Sequence, residues 1–527
     1  MTANHKLQKL RTVITENLRV QLDGDAIDYV NVGVALTDAC AKQNHVIFAR
    51  RGCGKTLLLH HSRKHITEQT RIIYLNCEDF KRHSFPNVLI EILVALFREL
   101  DSNLSGWFGK KARSKQIVAT VLQKLSDLQK SADYQDESVR KIEGSEEKRG
   151  KSATASAQAQ RMKFEGKGDA SQSKRQEIET TFKLHKQKLK DLDLWLPELK
   201  SNVREFFDLS QSVKAIFLQI DDLYHLRRTD QAFVVDYIHR LCKDLPLYFK
   251  IATLRHASTL FMDRDGQPIG AQERHDYQPI NIDYTFGDFK KTQTQNWQIL
   301  VEFAKRVPMS EAELSDLFKG EGFERLVMAG GGVPRDVLSL FLEVLSQVQG
   351  AQDQRIGKDE VRILSRGNFE RHIEELKHDS QDDEQDDLLK GIYAIREFCL
   401  EKKTNVFAVQ ERMLQQNDDL RSLFNRLMDY RIIHSCAAAL THKSQQGTYQ
   451  VFAIDIGCYA HLRKHHNRFT EIDVSRTDAK EKMRSCPILE KEQFNEMFAK
   501  APSDVESKLL QELEDADGEG GGQASDN

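Results

Sequence analysis

The stretch HVIFARRGCGKT (45–56) constrains the fold of this chain more than any other. Val46, Ile47 and Phe48 read as a buried strand, and Leu57, Leu58 and Leu59 open an apolar run suited to a helix. Between them, Gly52 and Gly54 let consecutive backbone N–H groups turn inward with no Cβ in the way. A strand, a glycine-rich turn and a helix N-terminus in this order make a cradle for an anion. Lys55 adds a cation able to reach β- and γ-phosphates, and Thr56 a hydroxyl able to hold Mg²⁺. The usual pattern is G-x-x-x-x-G-K-[ST], and here Ala49 takes the first glycine position. Alanine adopts most conformations with φ < 0, so the cradle is expected to survive. The candidate nucleotide-binding residues are Arg51, Gly52, Cys53, Gly54, Lys55 and Thr56. A glycine-rich turn that merely contains Lys-Thr competes with this reading, so a second signal is needed.

IFLQIDDL (216–223) supplies it, as an apolar strand ending in two carboxylates. Beside a phosphate loop, Asp221 would order the Mg²⁺ shell and Asp222 would polarise the attacking water. Such a strand is expected next to the loop strand. KIATLRH (250–256) places Thr253 at the end of a further strand, within reach of a γ-phosphate. GGGVPRDVL (330–338) places Arg335 at the start of a helix that can close over the phosphates.

The rest of the chain frames this core. Its 527 residues are enough for about three or four domains. A net charge of −3 neither favours nor excludes nucleic acid, since a local basic face can hide in a neutral total. The eight cysteines form no C-x-x-C pair, which argues against a zinc site or disulfide framework and fits a reducing cytosol. MTANHKLQKL has no apolar signal core, and no stretch approaches the roughly 18 apolar residues of a membrane span. A soluble, cytoplasmic protein is expected.

Strands at 71–76, 215–220, 248–253 and 280–286 alternate with helices, which predicts an α/β core with a parallel sheet covered on both faces. Residues 1–30 read as an N-terminal helical segment, 31–286 as the core, 287–377 as an all-helical unit, 385–470 as a further unit, and 471–527 as a C-terminal segment with an acidic, disordered tail from about 502. The acidic run HDSQDDEQDD (378–387) reads as a linker. Residues 101–210 interrupt the core. Val118, Val121, Leu125 and Leu128 repeat at helical spacing, as do Leu189, Leu192, Leu196, Leu199, Val203 and Phe206. We read a helical hairpin whose apolar seam offers a partner-docking face, with a disordered tip at 131–173 and with Pro197 kinking or ending one helix. Two surface helices packed on the body satisfy the same pattern.

Taken in order, the phosphate loop, Asp-Asp strand, polar strand end, G-x-P-R helix and a helix-rich unit with a hairpin resemble the AAA+ ATPases of the origin-recognition, replication-initiator type. The resemblance covers about 31–104 and 211–470. It implies an αβα P-loop ATPase core, a helical lid and a C-terminal winged helix, with ATP and Mg²⁺ as ligands. It also implies that Lys55 and Thr56 match Walker A, Asp221 and Asp222 Walker B, Thr253 sensor 1 and Arg335 sensor 2. Arg274, in GAQERHDYQPI, falls where such proteins carry an arginine finger for a neighbouring subunit, so an ATP-dependent homo-oligomer is expected. Asp222 departs from the usual Glu, and a side chain one methylene shorter predicts slow hydrolysis. STAND signalling ATPases share the Asp-Asp strand, G-x-P motif and winged helix, but usually append a repeat domain for which this chain shows no internal repeat. In the winged-helix region, Arg421, Arg426, Arg431, His442, Lys443 and the cluster 463–468 are basic, while Asp418, Asp419 and Asp429 oppose them. Double-stranded DNA and a protein partner are both expected candidates for this surface, with DNA affinity weak unless several subunits act together.

Overall fold

The computed structural model describes residues 3–19, 27–81, 83, 85–102, 110–130, 186–210, 213–264, 266–348, 353–379, 382–460 and 470–509. The chain opens with α1 (Ala3–Asn17) and α2 (Ala35–Cys40), followed by β1 (His45–Phe48), the glycine-rich loop and α3 (Lys55–Arg63). Then come β2 (Thr70–Asn76), α4 (Asn87–Ser102), α5 (Lys110–Lys130), α6 (Lys186–Leu209), β3 (Ala215–Asp221), α7 (Arg228–Cys242) and β4 (Leu247–Thr253). A hairpin, β5 (Phe261–Arg264) and β6 (Gln267–Gly270), precedes β7 (Gln278–Asn281). Strands β2, β3, β4, β1 and β7 form one sheet in that order, and each neighbouring pair is parallel. Every residue of β1 and β3 is buried, as expected of strands covered on both faces. The α/β core and its parallel sheet are therefore as the sequence predicts.

Two expectations change in detail, and one open alternative narrows. The Asp-Asp strand β3 is not adjacent to the loop strand β1, because β4 lies between them. Helix α3 bridges the gap, with the Gln219 amide of β3 donating to the Leu59 carbonyl and to Ser62 Oγ, both at 3.1 Å. The last core strand is shorter than 280–286, ending at Asn281. Helix α6 runs through Pro197 without ending.

The apolar seam of the insertion is spent inside the core. Val118, Val121, Leu125, Leu192, Leu199 and Val203 share one buried cluster with Leu89, Leu93 and Phe97 of α4 and with the inner face of β3 and β4. The seam is thus no free docking face, and the packed-helix alternative holds for α5 and α6. The tip expected to be disordered lies outside the described residues.

The all-helical unit comprises α8 (Phe289–Lys305), α9 (Glu311–Ser315), α10 (Gly322–Ala329), α11 (Pro334–Val348) and α12 (Lys358–Asp379). Helix α1 packs here, through Leu10 and Ile14. Next come α13 (Asp382–Lys402), β8 (Val406–Gln410), α14 (Glu411–Gln415), α15 (Asp418–Asp429), β9 (Ile433–Thr441), β10 (Thr448–Ile454), α16 (Ala479–Met483) and α17 (Lys491–Ala499). Strands β8, β10 and β9 form a three-stranded antiparallel sheet, with the 445–447 turn between β9 and β10. The acidic run is no linker. Most of it lies at the end of α12 and in the first turns of α13, where Glu384 pairs with Arg426 and Asp386 with Lys390 at 2.6 Å. Residues 470–509 are no appendage either. Phe494 packs at a tilt against Phe424, Leu489 N–H donates to the Ala408 carbonyl, and Lys377 pairs with Glu506 at 2.7 Å. Val505 and Leu509 are buried, so order extends past 502, while 510–527 lie outside the described residues.

Candidate nucleotide site

The loop 49–54 leaves β1 at the carboxyl end of the sheet and runs into the first turn of α3. Gly52 and Gly54 take φ +85° and +89°, conformations that cost an L residue about 1–2 kcal/mol. At Gly52 the space is also closed: a Cβ there would fall 2.8 Å from Arg335 Cβ and 2.9 Å from Val333 Cγ1. The Arg335 N–H donates to the Gly52 carbonyl at 3.3 Å. The head of α11 is therefore built onto the loop, with the Arg335 side chain exposed beside it.

Lys55 is buried and donates to the carbonyls of Ala49 (3.1 Å) and Arg50 (3.4 Å). Burial lowers its pKa, opposed first by Asp222. Asp221 is fully buried at the end of β3, where it accepts from Tyr74 Oη at 2.9 Å, from the Asp222 N–H at 3.0 Å and from the Thr56 hydroxyl. Burial and the neighbouring Asp222 raise its pKa against the pull of Thr56, Tyr74 and Lys55. The chain then turns at Asp222, in the left-handed region (φ +53°), which Asp tolerates better than most residues. Thus Lys55, Thr56, Asp221 and Asp222 come together although 166 positions separate the first from the third. Thr253 ends β4 opposite Phe48, fully buried, with its hydroxyl 2.5 Å from Ser258 Oγ.

Arg274 does not join this group. It lies in the turn before β7, whose first residue Gln278 pairs with His45 of β1, and its N–H donates to the Tyr277 carbonyl at 2.8 Å. It is exposed, with φ +68°. Cys53 contributes its backbone only: its thiol is buried and bonds to Asp283.

Several residues around the loop were not foreseen. Arg50 forms a buried bidentate pair with Asp283 (2.7 and 2.8 Å), and its backbone N–H donates to the same carboxylate at 3.0 Å. The Arg50 guanidinium outweighs burial and holds Asp283 below the usual carboxylate range. Tyr224, two positions beyond Asp222, places its ring 4.8 Å from the guanidinium of Arg51. Tyr29 sits against Gly54, and an open cavity of about 1070 Å³ lies between residues 28–31 and α8.

The basic residues expected to meet DNA are mostly engaged within the chain. Arg426 is buried and pairs with Glu384, Arg421 pairs with Asp418 at 2.7 Å, and Lys443 pairs with Glu481 at 2.6 Å. Arg431 is buried between Asp336 and Glu375. The cluster 463–468 lies outside the described residues.

No protein-family model and no curated protein matches the chain. Among solved structures it is similar to a Walker-type ATPase of Pyrococcus abyssi, with 13% identity, a TM-score of 0.39, and 85% of this chain and 99% of the other covered. It is also similar to the Aeropyrum pernix ORC1 protein in complex with DNA (12%, 0.30, 86% and 89%) and to Drosophila ORC bound to DNA (12%, 0.29, 88% and 100%). At such identities and scores they lend no residue a role, and the roles proposed below rest on this chain's own geometry. Among the described residues, no helix is long and apolar enough to cross a membrane.

Proposed function

We propose that this chain is an AAA+-type, ATP-binding and slowly hydrolysing switch. One observation carries the reading: a glycine loop at positive φ delivers Lys55 and Thr56 to a buried Asp221 on a different strand, and Thr56 already bonds to that carboxylate. The donor set fits a hard cation, with one hydroxyl and one carboxylate in contact at the mouth of an anion cradle. Thr56 and Asp221 would hold Mg²⁺, which when bound offsets phosphate charge. Lys55 reaches the β- and γ-phosphates, Asp222 orients the attacking water, and Thr253 and Arg335 read the γ-phosphate from β4 and from the lid. The shorter Asp222 supports slow turnover. The test is equilibrium binding of ATP with Mg²⁺: Lys55→Ala is expected to abolish it and Asp221→Ala to remove its Mg²⁺ dependence. Binding unaffected by both substitutions would sink the proposal.

We further propose that the unit 385–470 is a winged helix and that ATP promotes homo-oligomerisation, with Arg274 reaching a neighbour's nucleotide. Its exposure supports a role in trans. Assembly on duplex DNA is the first reading of the output. A STAND-like switch answering a protein partner is the second, and the internal pairing of Arg421, Arg426 and Lys443 favours it. A cytoplasmic location fits the free thiols of all eight cysteines.

A further inference from the structure

The turn from α15 to β9 lies closer to the phosphate loop than a separate C-terminal unit requires. Arg431 sits in this turn with φ +62° and is almost wholly buried. Its Nη1 donates to the carbonyl of Arg51 at 3.4 Å and lies 3.4 Å from Asp336 Oδ2, while Nη2 bonds to Glu375. Asp336 directly follows Arg335, whose N–H holds the next carbonyl of the loop, that of Gly52. Two consecutive loop carbonyls are therefore held from outside the sheet by two donors that Asp336 ties together. Two more contacts anchor the same turn. Asp429 accepts from the Ala257 N–H, just beyond β4, and His434 packs 4.6 Å from the Phe286 ring and against Gly331.

Peptide planarity gives this arrangement a consequence for the loop. In a trans peptide the N–H points opposite to the preceding carbonyl. Fixing the Arg51 carbonyl toward Arg431 therefore fixes the Gly52 N–H on the other side, and that N–H belongs to the loop that cradles phosphate. Gly52 has no side chain to hold this plane by itself, so an external donor decides its orientation.

We propose that Arg431 is a positioning residue of the phosphate loop, supplied by the C-terminal unit, so that nucleotide binding and docking of that unit strengthen one another. The proposal rests on the reading of the loop as an ATP site. Linkage makes it reciprocal: if docking orders the loop for ATP, ATP must tighten docking by the same factor. Lysine at 431 would keep a charge beside Asp336, but one ammonium cannot span the Arg51 carbonyl, Asp336 and Glu375 as a guanidinium fork does.

The test uses the intact chain, a fluorescent ATP analogue with Mg²⁺, and hydrogen exchange at 429–436. Four proteins are compared: wild type, Arg431→Lys, the charge-balanced pair Arg431→Met with Asp336→Asn, and Lys55→Ala. The pair leaves no uncompensated buried charge, so it keeps the test alive if the lysine variant fails to fold. We expect the folded Arg431 variants to bind the analogue about tenfold more weakly, within the usual range of coupling between sites. Nucleotide should slow exchange at 429–436 in wild type and do so less in the variants. Lys55→Ala should lose binding while its exchange there matches nucleotide-free wild type. A purely structural Arg431 would lower Tm and leave Kd unchanged well below Tm. Binding within twofold of wild type, or tighter, in a folded variant would overturn the proposal alone. No binding by wild type would overturn it together with the ATP reading.

Discussion

Gly52 shows what a side chain would do at the heart of the site. Gly52→Ala must hold φ +85° at a cost of about 1–2 kcal/mol and push its methyl into Arg335 and Val333. We expect at least a tenfold loss of ATP affinity (about 1.4 kcal/mol) with a small fall in Tm. Unchanged affinity would mean that the loop does not bind in this conformation. Asp429 supplies a pH dependence. Burial, then Asp283, pushes its carboxyl up to about 7, against Arg426, Arg50 and the Ala257 N–H. In the unfolded chain an Asp titrates near ~3.9. Between these values the folded protein holds a proton that the unfolded chain has released, so this group makes stability fall as pH rises from about 4 through about 7. Asp429→Asn should flatten that part of a Tm-against-pH curve, and an equal slope in both proteins would contradict the assignment. Residues of this kind divide into those legible in the sequence and those not. Lys55 and Thr56 were legible because strand, glycine turn and helix follow each other in the chain, and Asp221 because an apolar strand ends in two carboxylates. Asp283 and Arg431 were not, since they reach the loop from 233 and 380 positions away and carry no local signal.

Helices α5 and α6 illustrate how an element can be found and its use misread. Their heptad-like spacing is real, but spacing does not say whether a seam meets a partner or the body. Leu93, Phe97, Val121 and Leu199 share one buried cluster, so the insertion is part of the core. Leu199→Ala should therefore cost about 2–5 kcal/mol, read from chemical denaturation. Removing 110–200 should destabilise the fold, while a short linker replacing 131–185 should leave ATP binding intact. The reverse pattern would restore the docking-hairpin reading. The acidic stretch at 378–387 misled for a related reason: ten polar residues resemble a linker by composition, yet Glu384 and Asp386 find partners in Arg426 and Lys390 once the segment is helical. The antiparallel hairpin at 433–454 was legible because the Gln445-Gln446-Gly447 turn separates two alternating runs.

For the whole molecule, the proposed ATP site is assembled from the sheet, the head of α11 and the α15–β9 turn. Loop, lid and C-terminal unit thus meet at Arg51, Gly52, Arg335 and Arg431. Such a layout suits a protein whose nucleotide state is read out by the disposition of its C-terminal unit rather than by rapid turnover. ATP hydrolysis by the purified chain, with and without long duplex DNA at low salt and beside Lys55→Ala, is the most direct test. The account predicts slow, Mg²⁺-dependent turnover that Lys55→Ala abolishes. Stimulation by DNA would favour assembly on DNA, and its absence would favour a protein partner. Turnover that persists in Lys55→Ala, or fast basal turnover in wild type, would contradict the central claim.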